Sequence, residues 1–187
     1  MYIPRHKVFI SYYHRDDQYY KDKLISFNEL NPNTWQTQSI FEDYSVHENE
    51  IDDTGLSSER IRCIIRDEYI KDATVLILLC GKNTKRRKHI DWEIHAAMYD
   101  SSVNRQMGIV VINLPTINQN IRASSNEEKP LLSDSAGWYS IENRSDYEYH
   151  YPYMPDRIID NFVKNVPITV VDWDRICMNP QRLKQLI

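Results

Sequence analysis

Runs of consecutive apolar residues constrain the fold of this chain more than any other feature. Val75–Cys80 contains six apolar residues in a row, and Gly108–Ile112 is a second such run. Strands that are apolar throughout, rather than at alternate positions, are typical of a parallel sheet buried on both faces. The shorter segments Val8–Ile10 and Ile168–Val171 have the same character. These runs predict four strands of a parallel sheet.

The segments between the runs have the spacing of amphipathic helices. Tyr20, Leu24 and Phe27 lie at i, i+4 and i+7, on one helical face. A second helix is predicted with a cap at Ser57 or Ser58 and with Ile61, Ile64 and Ile65 on one stripe. Two more helices are predicted, one from Ile90 to about Tyr99 and one that begins after Asn179-Pro180.

A second strand is predicted at Trp35–Phe41, followed by a loop over Glu42–Ser58. Strands that alternate with helices indicate an α/β fold. We therefore expect a five-stranded, mainly parallel sheet with helices on both faces.

Composition excludes several classes of protein. The 187 residues suffice for one domain with an ordinary core. The net charge of -4 argues against a nucleic-acid-binding protein. No apolar run approaches the ~20 residues of a membrane span, and Met1–Lys7 lacks the apolar core of a signal peptide. Three widely spaced cysteines indicate a reducing compartment. We expect a cytoplasmic protein without nucleic-acid or membrane partners.

Residues 114–155 interrupt the alternation of strands and helices. The segment is polar and tyrosine-rich and has no sustained hydrophobic period. A long segment of this kind inside a compact domain is typical of a functional or partner-binding insertion. We predict a single domain over residues 1–187, with a core of 7–113 plus 156–187 and an insertion over 114–155 before the last strand.

A ligand site is expected at the carboxyl ends of the strands, where open parallel sheets bind their ligands. The chain has only four glycines and contains neither G-x-G-x-x-G nor G-x-x-x-x-G-K-[ST]. Side chains, rather than a glycine-rich loop, must therefore hold any nucleotide. The expected strand ends are Ser11-Tyr12-Tyr13, the loop near Glu42-Asp43-Tyr44, the segment from Gly81 to Lys88, and the turn after Asn113.

Glu93 is the most informative single residue. Ile90, Glu93, Ile94 and Ala97 lie at i, i+3, i+4 and i+7, which places the carboxylate at the edge of a buried helical stripe. One interpretation is a carboxylate that reaches solvent or pairs with a nearby cation. The other is a carboxylate directed into a cleft, where it stabilises a developing cation or binds a sugar hydroxyl.

A dense positive cluster precedes the helix of Glu93, comprising Lys82, Lys85, Arg86, Arg87 and Lys88. Both a solvated loop and a site for a diphosphate-bearing ligand agree with it. Tyr12, Tyr13 and Tyr44 either stack on a planar ring or complete the core. The spacing of His and Cys predicts no metal site, and no G-x-S-x-G turn supports a serine hydrolase.

Three segments resemble the TIR family. Lys7-Val8-Phe9-Ile10-Ser11-Tyr12, with Asp16-Asp17 after it, is similar to the first TIR box. Ile61–Cys80 resembles the TIR helix and strand that follow, and His89–Ala97 resembles the box in which an aromatic residue precedes a glutamate. The length and the tyrosine-rich insertion resemble the TIR component of Thoeris antiphage systems, the ThsB family.

The resemblance implies a flavodoxin-like TIR fold and an enzyme that consumes NAD. It implies cleavage of the nicotinamide–ribose bond and formation of a cyclic ADP-ribose isomer, a diffusible signal for a partner effector NADase. It further implies self-association between TIR domains, with NAD as substrate and no cofactor. Glu93 would be the catalytic residue. The expected substrate-binding residues are Phe9, Ser11, Tyr12, Asp43, Tyr44, Lys85 and Trp92, and no metal is expected.

Two alternatives remain open at this point. A non-catalytic TIR scaffold would act through TIR–TIR contacts and would tolerate replacement of Glu93. A protein similar to nucleoside deoxyribosyltransferases would use the same glutamate on another glycosidic bond and would release a free base instead of nicotinamide.

Overall fold

The computed structural model describes residues 5–29, 39–45, 57–100, 105–117, 122–123, 138–139 and 143–187. Its main sheet has five parallel strands, which are Lys7–Ser11 (β1), Glu42–Asp43 (β2), Val75–Cys80 (β3), Gly108–Asn113 (β4) and, last in the chain, Thr169–Asp172 (β7). Arg122–Ala123 (β5) and Trp138–Tyr139 (β6) form a separate parallel pair. The order in the main sheet is β2-β1-β3-β4-β7. This is the flavodoxin-like order of an α/β fold, so the predicted fold class is confirmed.

Helices cover both faces of the sheet, as predicted. The helix α1 (His14–Asn28) packs on one face, and α2 (Ser58–Ile64), which continues as a π-helix over Ile65–Ile70, packs on the other. The later helices are α3 (Lys88–Met98), α4 (Arg144–His150), α5 (Asp156–Val163), α6 (Trp173–Met178) and α7 (Leu183–Leu186). Short 3-10 turns occur at Thr84–Arg86, Pro115–Ile117 and Pro180–Arg182.

Strand β3 shows why the sequence runs are apolar at every position. Leu76 and Leu78 enter a core with α2, α3 and α5, whereas Ile77 and Leu79 enter a second core with α1, α6 and α7. Successive side chains of a strand point to opposite faces, so a strand covered on both faces buries all of them. Every residue of β3 is buried.

The second strand lies later than predicted. Residues 39–41 are outside any strand, and β2 consists of Glu42–Asp43, within the segment predicted as a loop. The predicted residues 35–38 lie outside the described ranges. Phe41 is buried, and the side chain of Asn28 bonds both its N–H and its C=O, at 2.9 and 3.0 Å. Because β2 is a two-residue edge strand paired with β1 alone, it needs no apolar run of its own.

Part of the segment predicted as an irregular insertion is helical. Within 114–155, the helix α4 begins after Asn143, whose side chain accepts a 3.0 Å bond from the N–H of Asp146. Tyr151 and Met154 follow α4 and are buried in the same core as α3. The helix carries no aliphatic stripe, because Tyr147 makes its apolar contact with the core while Tyr149 is exposed. The rest of this segment lies outside the described ranges, namely residues 118–121, 124–137 and 140–142. The boundaries of the insertion therefore stay a prediction.

The predicted starts of two helices are confirmed, whereas the helix predicted from Ile90 begins two residues earlier, at Lys88. Ser57 caps α2, since its hydroxyl accepts a 3.2 Å bond from the N–H of Arg60. Pro180 begins the 3-10 turn that leads into α7. Within the described ranges, no helix is both long enough and apolar enough to cross a membrane.

Candidate active site

All strands of the main sheet are parallel, so their carboxyl ends meet along one edge, here called the carboxyl edge. Ser11 of β1, Cys80 of β3 and Asn113 of β4 are the last residues of their strands. The turn after β3 is closed by Thr84, whose hydroxyl oxygen accepts a 2.8 Å bond from the N–H of Gly81. This turn delivers the chain to α3, the helix that carries Glu93.

Glu93 reaches the carboxyl edge and contacts the end of β1. The hydroxyl of Ser11 donates a 2.6 Å hydrogen bond to Oε2 of Glu93. Ile90 and Ile94, which are buried, hold this side of α3 against the sheet. The sequence left open whether Glu93 reaches solvent or enters a cleft, and the structure directs its carboxyl group inward, onto a buried serine.

The surroundings of Glu93 favour its protonated form. Burial of the carboxyl raises the pKa of Glu93 to about 7, whereas the hydrogen bond from Ser11 lowers the pKa. Glu93 thus exchanges its proton near neutral pH, in the range expected of a carboxyl group that takes part in catalysis.

A second carboxyl group, Asp17 on α1, lies buried at the same edge. Asp17 is 1% exposed, and its Oδ2 has no hydrogen-bond partner among the described residues. Burial and the nearby charge of Asp16 raise the pKa of Asp17 to about 6, although a backbone hydrogen bond at Tyr13 lowers it. A Cβ atom on Gly81 would lie 2.6 Å from both carboxyl oxygens of Asp17, so any larger residue at position 81 would displace this carboxyl group.

Asp17 is a residue that the sequence interpretation did not single out. It appeared there only as part of the first TIR-like motif, because an acidic residue in the first turn of a helix is usually solvated. The sequence carries one signal of this contact. The chain has few glycines, and a glycine at position 81 is typical of a place where another group approaches the backbone closely.

Three of the predicted substrate-binding residues lie on the same face of the sheet as Glu93. Phe9 is buried in the core of that face, and Tyr44 and Trp92 pack partly buried against it. Trp92 directly precedes Glu93 and meets the ring of His89 edge to face, at 5.1 Å between ring centres.

Three others are engaged elsewhere. Tyr12 lies in the core of the opposite face, where its hydroxyl donates a 2.8 Å bond to Gln18. Asp43 accepts bonds from the backbone N–H and the hydroxyl of Ser45. Lys85 forms a 3.0 Å ion pair with Asp156 and lines the same cavity as Trp92. The expected binding set is therefore only partly gathered, because Tyr12 lies in the core of the opposite face.

Tyr13 and Arg87 join the strand end to the start of α3. The guanidinium carbon of Arg87 lies 3.7 Å from the centre of the Tyr13 ring, which is a close cation–π contact. Among the described residues, no group of three His, Cys, Asp or Glu side chains is arranged to hold a metal ion. The expected absence of a metal remains a prediction.

Comparison with known protein families identifies the family of this chain. A family model described as "Thoeris protein ThsB, TIR-like domain" matches residues 9–119, more than half of the chain. The chain belongs to the ThsB TIR-like family. No curated protein and no solved structure matches it at a significant level.

The matched region contains the parts of the candidate site described above. It runs from β1 to the 3-10 turn after β4 and includes Ser11, Asp17, Arg87 and Glu93. The protein is thus a TIR protein of the Thoeris antiphage defence system, and the resemblance drawn from the sequence is confirmed.

Proposed function

We propose that this TIR protein cleaves NAD between nicotinamide and ribose and forms a cyclic ADP-ribose isomer. The observation that carries the proposal is the Ser11–Glu93 pair, a half-buried glutamate whose carboxyl group is held by a buried serine at the carboxyl edge of a parallel sheet. Membership in the ThsB TIR-like family supports it. The chemistry needs a carboxylate next to the anomeric carbon, and Glu93 is the candidate for that role.

The charge of Glu93 suits a substrate that carries a cation. With a pKa of about 7, the carboxyl is only partly ionised at neutral pH. A nicotinamide ring is positively charged, and an opposite charge nearby favours the ionised carboxylate. Binding of NAD would therefore ionise Glu93, and the carboxylate would stabilise the oxocarbenium ion that develops on the ribose.

The proposed reaction exchanges one bond for another. The bond from the anomeric carbon to the nicotinamide nitrogen breaks, and its electron pair neutralises the ring, so nicotinamide leaves without a proton. An adenine nitrogen or a ribose hydroxyl of the same ADP-ribose then bonds to the anomeric carbon. The proton released, from the exocyclic amino group of the adenine or from the attacking hydroxyl, passes to Glu93 or to solvent. Holding the nucleophile in place gives it a high effective molarity over water.

The cyclic product would act as a diffusible signal to a partner effector NADase. We further propose that TIR domains of this protein associate, so that a neighbouring copy completes the substrate site. NAD is the substrate in this scheme, and the cyclase needs no cofactor.

Replacement of Glu93 tests the proposal in phage-challenged cells that carry the defence system. Glu93→Gln removes the ionisable group at nearly constant size and should abolish both the ADP-ribose isomer seen by mass spectrometry and the activation of the effector NADase. Glu68→Gln is the matched control, because Glu68 is exposed on the π-helix. Wild-type signal in Glu93→Gln would contradict the proposal and favour a scaffold. A free base in place of nicotinamide would favour transferase chemistry.

A further inference from the structure

A polar cavity of about 320 Å³ lies where α3 begins, next to the start of α5. We call it the basic cleft, because four consecutive cationic residues line it: Lys85, Arg86, Arg87 and Lys88. Two carboxylates, Asp91 and Asp156, also line it. Its volume lies at the lower end of the range of small-molecule sites.

Both carboxylates of the basic cleft are already neutralised by other cations. Asp91 is bound by Arg157 through two 3.0 Å hydrogen bonds. Asp156 pairs with Lys85 at 3.0 Å and with Arg144 at 3.4 Å. Among the described residues, no carboxylate pairs with the other three cations of the cleft.

Those three cations are Arg86, Arg87 and Lys88, and within the described part of the chain none of them forms an ion pair. Like charges held side by side repel each other, and an anion between them relieves that repulsion. The helix dipole of α3, which begins at Lys88, adds to the positive potential.

Arg87 links the basic cleft to the Ser11–Glu93 pair. Its guanidinium lies on the ring of Tyr13, two residues beyond Ser11. Its Nε is buried and has no hydrogen-bond partner among the described residues. A buried donor without a partner costs free energy, which an anionic acceptor at this position would recover.

We propose that the basic cleft binds the diphosphate of the dinucleotide substrate, with Arg87 as the residue between the diphosphate and the Ser11–Glu93 pair. The inference rests on the proposed function, whose substrate it positions. Arginine forks match phosphate oxygens in geometry and charge. From Lys88 to Glu93 the helix rises about 7.5 Å along its axis, a distance comparable to that from a diphosphate across one ribose to its anomeric carbon.

Calorimetric titration of the full-length protein with ADP-ribose, inorganic pyrophosphate and adenosine tests the inference without requiring turnover. Arg87→Gln should weaken ADP-ribose binding about tenfold or more, since hydrogen bonds to charged groups are strong. The double variant Arg86→Gln/Lys88→Gln should weaken it to a similar extent. This double variant keeps Arg87 and its contact with Tyr13. It therefore still tests the inference if Arg87→Gln disturbs folding. Lys184→Gln, which removes one exposed cation on α7, should bind like wild type.

Each result has a definite meaning. Adenosine affinity unchanged by the cleft variants, together with ADP-ribose binding that weakens with salt, supports the inference. Wild-type protein that does not bind ADP-ribose, or cleft variants that bind it like wild type, would overturn it. Pyrophosphate that binds as tightly as ADP-ribose would assign the cleft to free diphosphate instead. The two proposals can fail separately. If the cleft binds ADP-ribose as expected but Glu93→Gln still signals, the proposed cleavage is refuted and the binding site stands.

Discussion

The hydroxyl of Ser11 lies 2.6 Å from Oε2 of Glu93, although 82 positions separate the two residues in the chain. The contact joins the end of β1 to α3 across the face of the sheet that both helices α2 and α3 cover. Ser11 is buried, so the donor side of the bond is shielded from solvent. The direction of the Glu93 carboxyl is therefore set by a strand end rather than by its own helix.

Ser11→Ala should raise the pKa of Glu93 above about 7, because the hydrogen bond from Ser11 favours the ionised form. The pH profile of nicotinamide release in phage-challenged cell extracts should shift to higher pH, and activity at pH 7 should fall severalfold. Ser26→Ala is the control, since Ser26 is exposed and its hydroxyl donates to the carbonyl of Lys23 within the same helix. An unshifted profile in Ser11→Ala would show that the bond does not set the pKa.

Asp17→Asn should stabilise the protein at neutral pH. The pKa of Asp17 is about 6 in the folded protein and the ordinary 3.8 in the unfolded chain. As pH rises, the unfolded chain therefore loses the Asp17 proton at a lower pH than the folded protein does. Asp17 therefore lowers stability progressively between about pH 4 and 6, by on the order of 1–3 kcal/mol above that window.

Urea unfolding measures this effect at pH 4 and pH 7.5. The advantage of Asp17→Asn should be present at pH 7.5 and absent at pH 4, whereas Asp22→Asn, an exposed aspartate on the same helix, should show no such dependence. An advantage of equal size at both pH values would contradict the role given to the charge of Asp17.

Gly81→Ala should destabilise the protein by about 1–3 kcal/mol, because the new Cβ would lie 2.6 Å from both oxygens of Asp17. Gly108→Ala is the matched control: its Cβ would meet Val75 at 3.7 Å, an ordinary contact. Urea unfolding should therefore separate the two variants. Adding Asp17→Ser to Gly81→Ala should recover part of the lost stability. If the changes in the free energy of unfolding of the two single variants simply add in the double variant, residues 17 and 81 do not interact.

The Asp91–Arg157 pair should contribute less than about 1 kcal/mol, although it joins α3 to α5 through two 3.0 Å bonds. Its side chains are 46% and 35% exposed, so water and salt screen the charges. A double-mutant cycle with Asp91→Asn and Arg157→Gln, measured by thermal unfolding at two salt concentrations, should give a small coupling that decreases with salt. A large, salt-independent coupling would show that the pair is effectively buried.

The fold was largely predictable because its signals are local. A strand covered on both faces must be apolar throughout, as Val75–Cys80 is, and a helix must repeat its apolar residues with helical spacing, as Ile90 and Ile94 do. Strand β2 and helix α4 escaped prediction for the opposite reason. An edge strand of two residues carries no apolar run, and the helix at Arg144–His150 packs on the core through Tyr147 rather than through an aliphatic stripe.

The sequence by itself determined that the chain forms a parallel α/β sheet and that Glu93 stands at the edge of a buried stripe. Only the tertiary structure decided what the carboxyl meets. Partners such as Ser11 for Glu93, Gly81 for Asp17 and Tyr13 for Arg87 come from distant parts of the chain. Burial and neighbouring dipoles set a pKa, and both depend on which strand ends are brought together. Periodicity along the sequence indicates which face of a single helix or strand is buried. A site, in contrast, forms where side chains from several helices and strands meet.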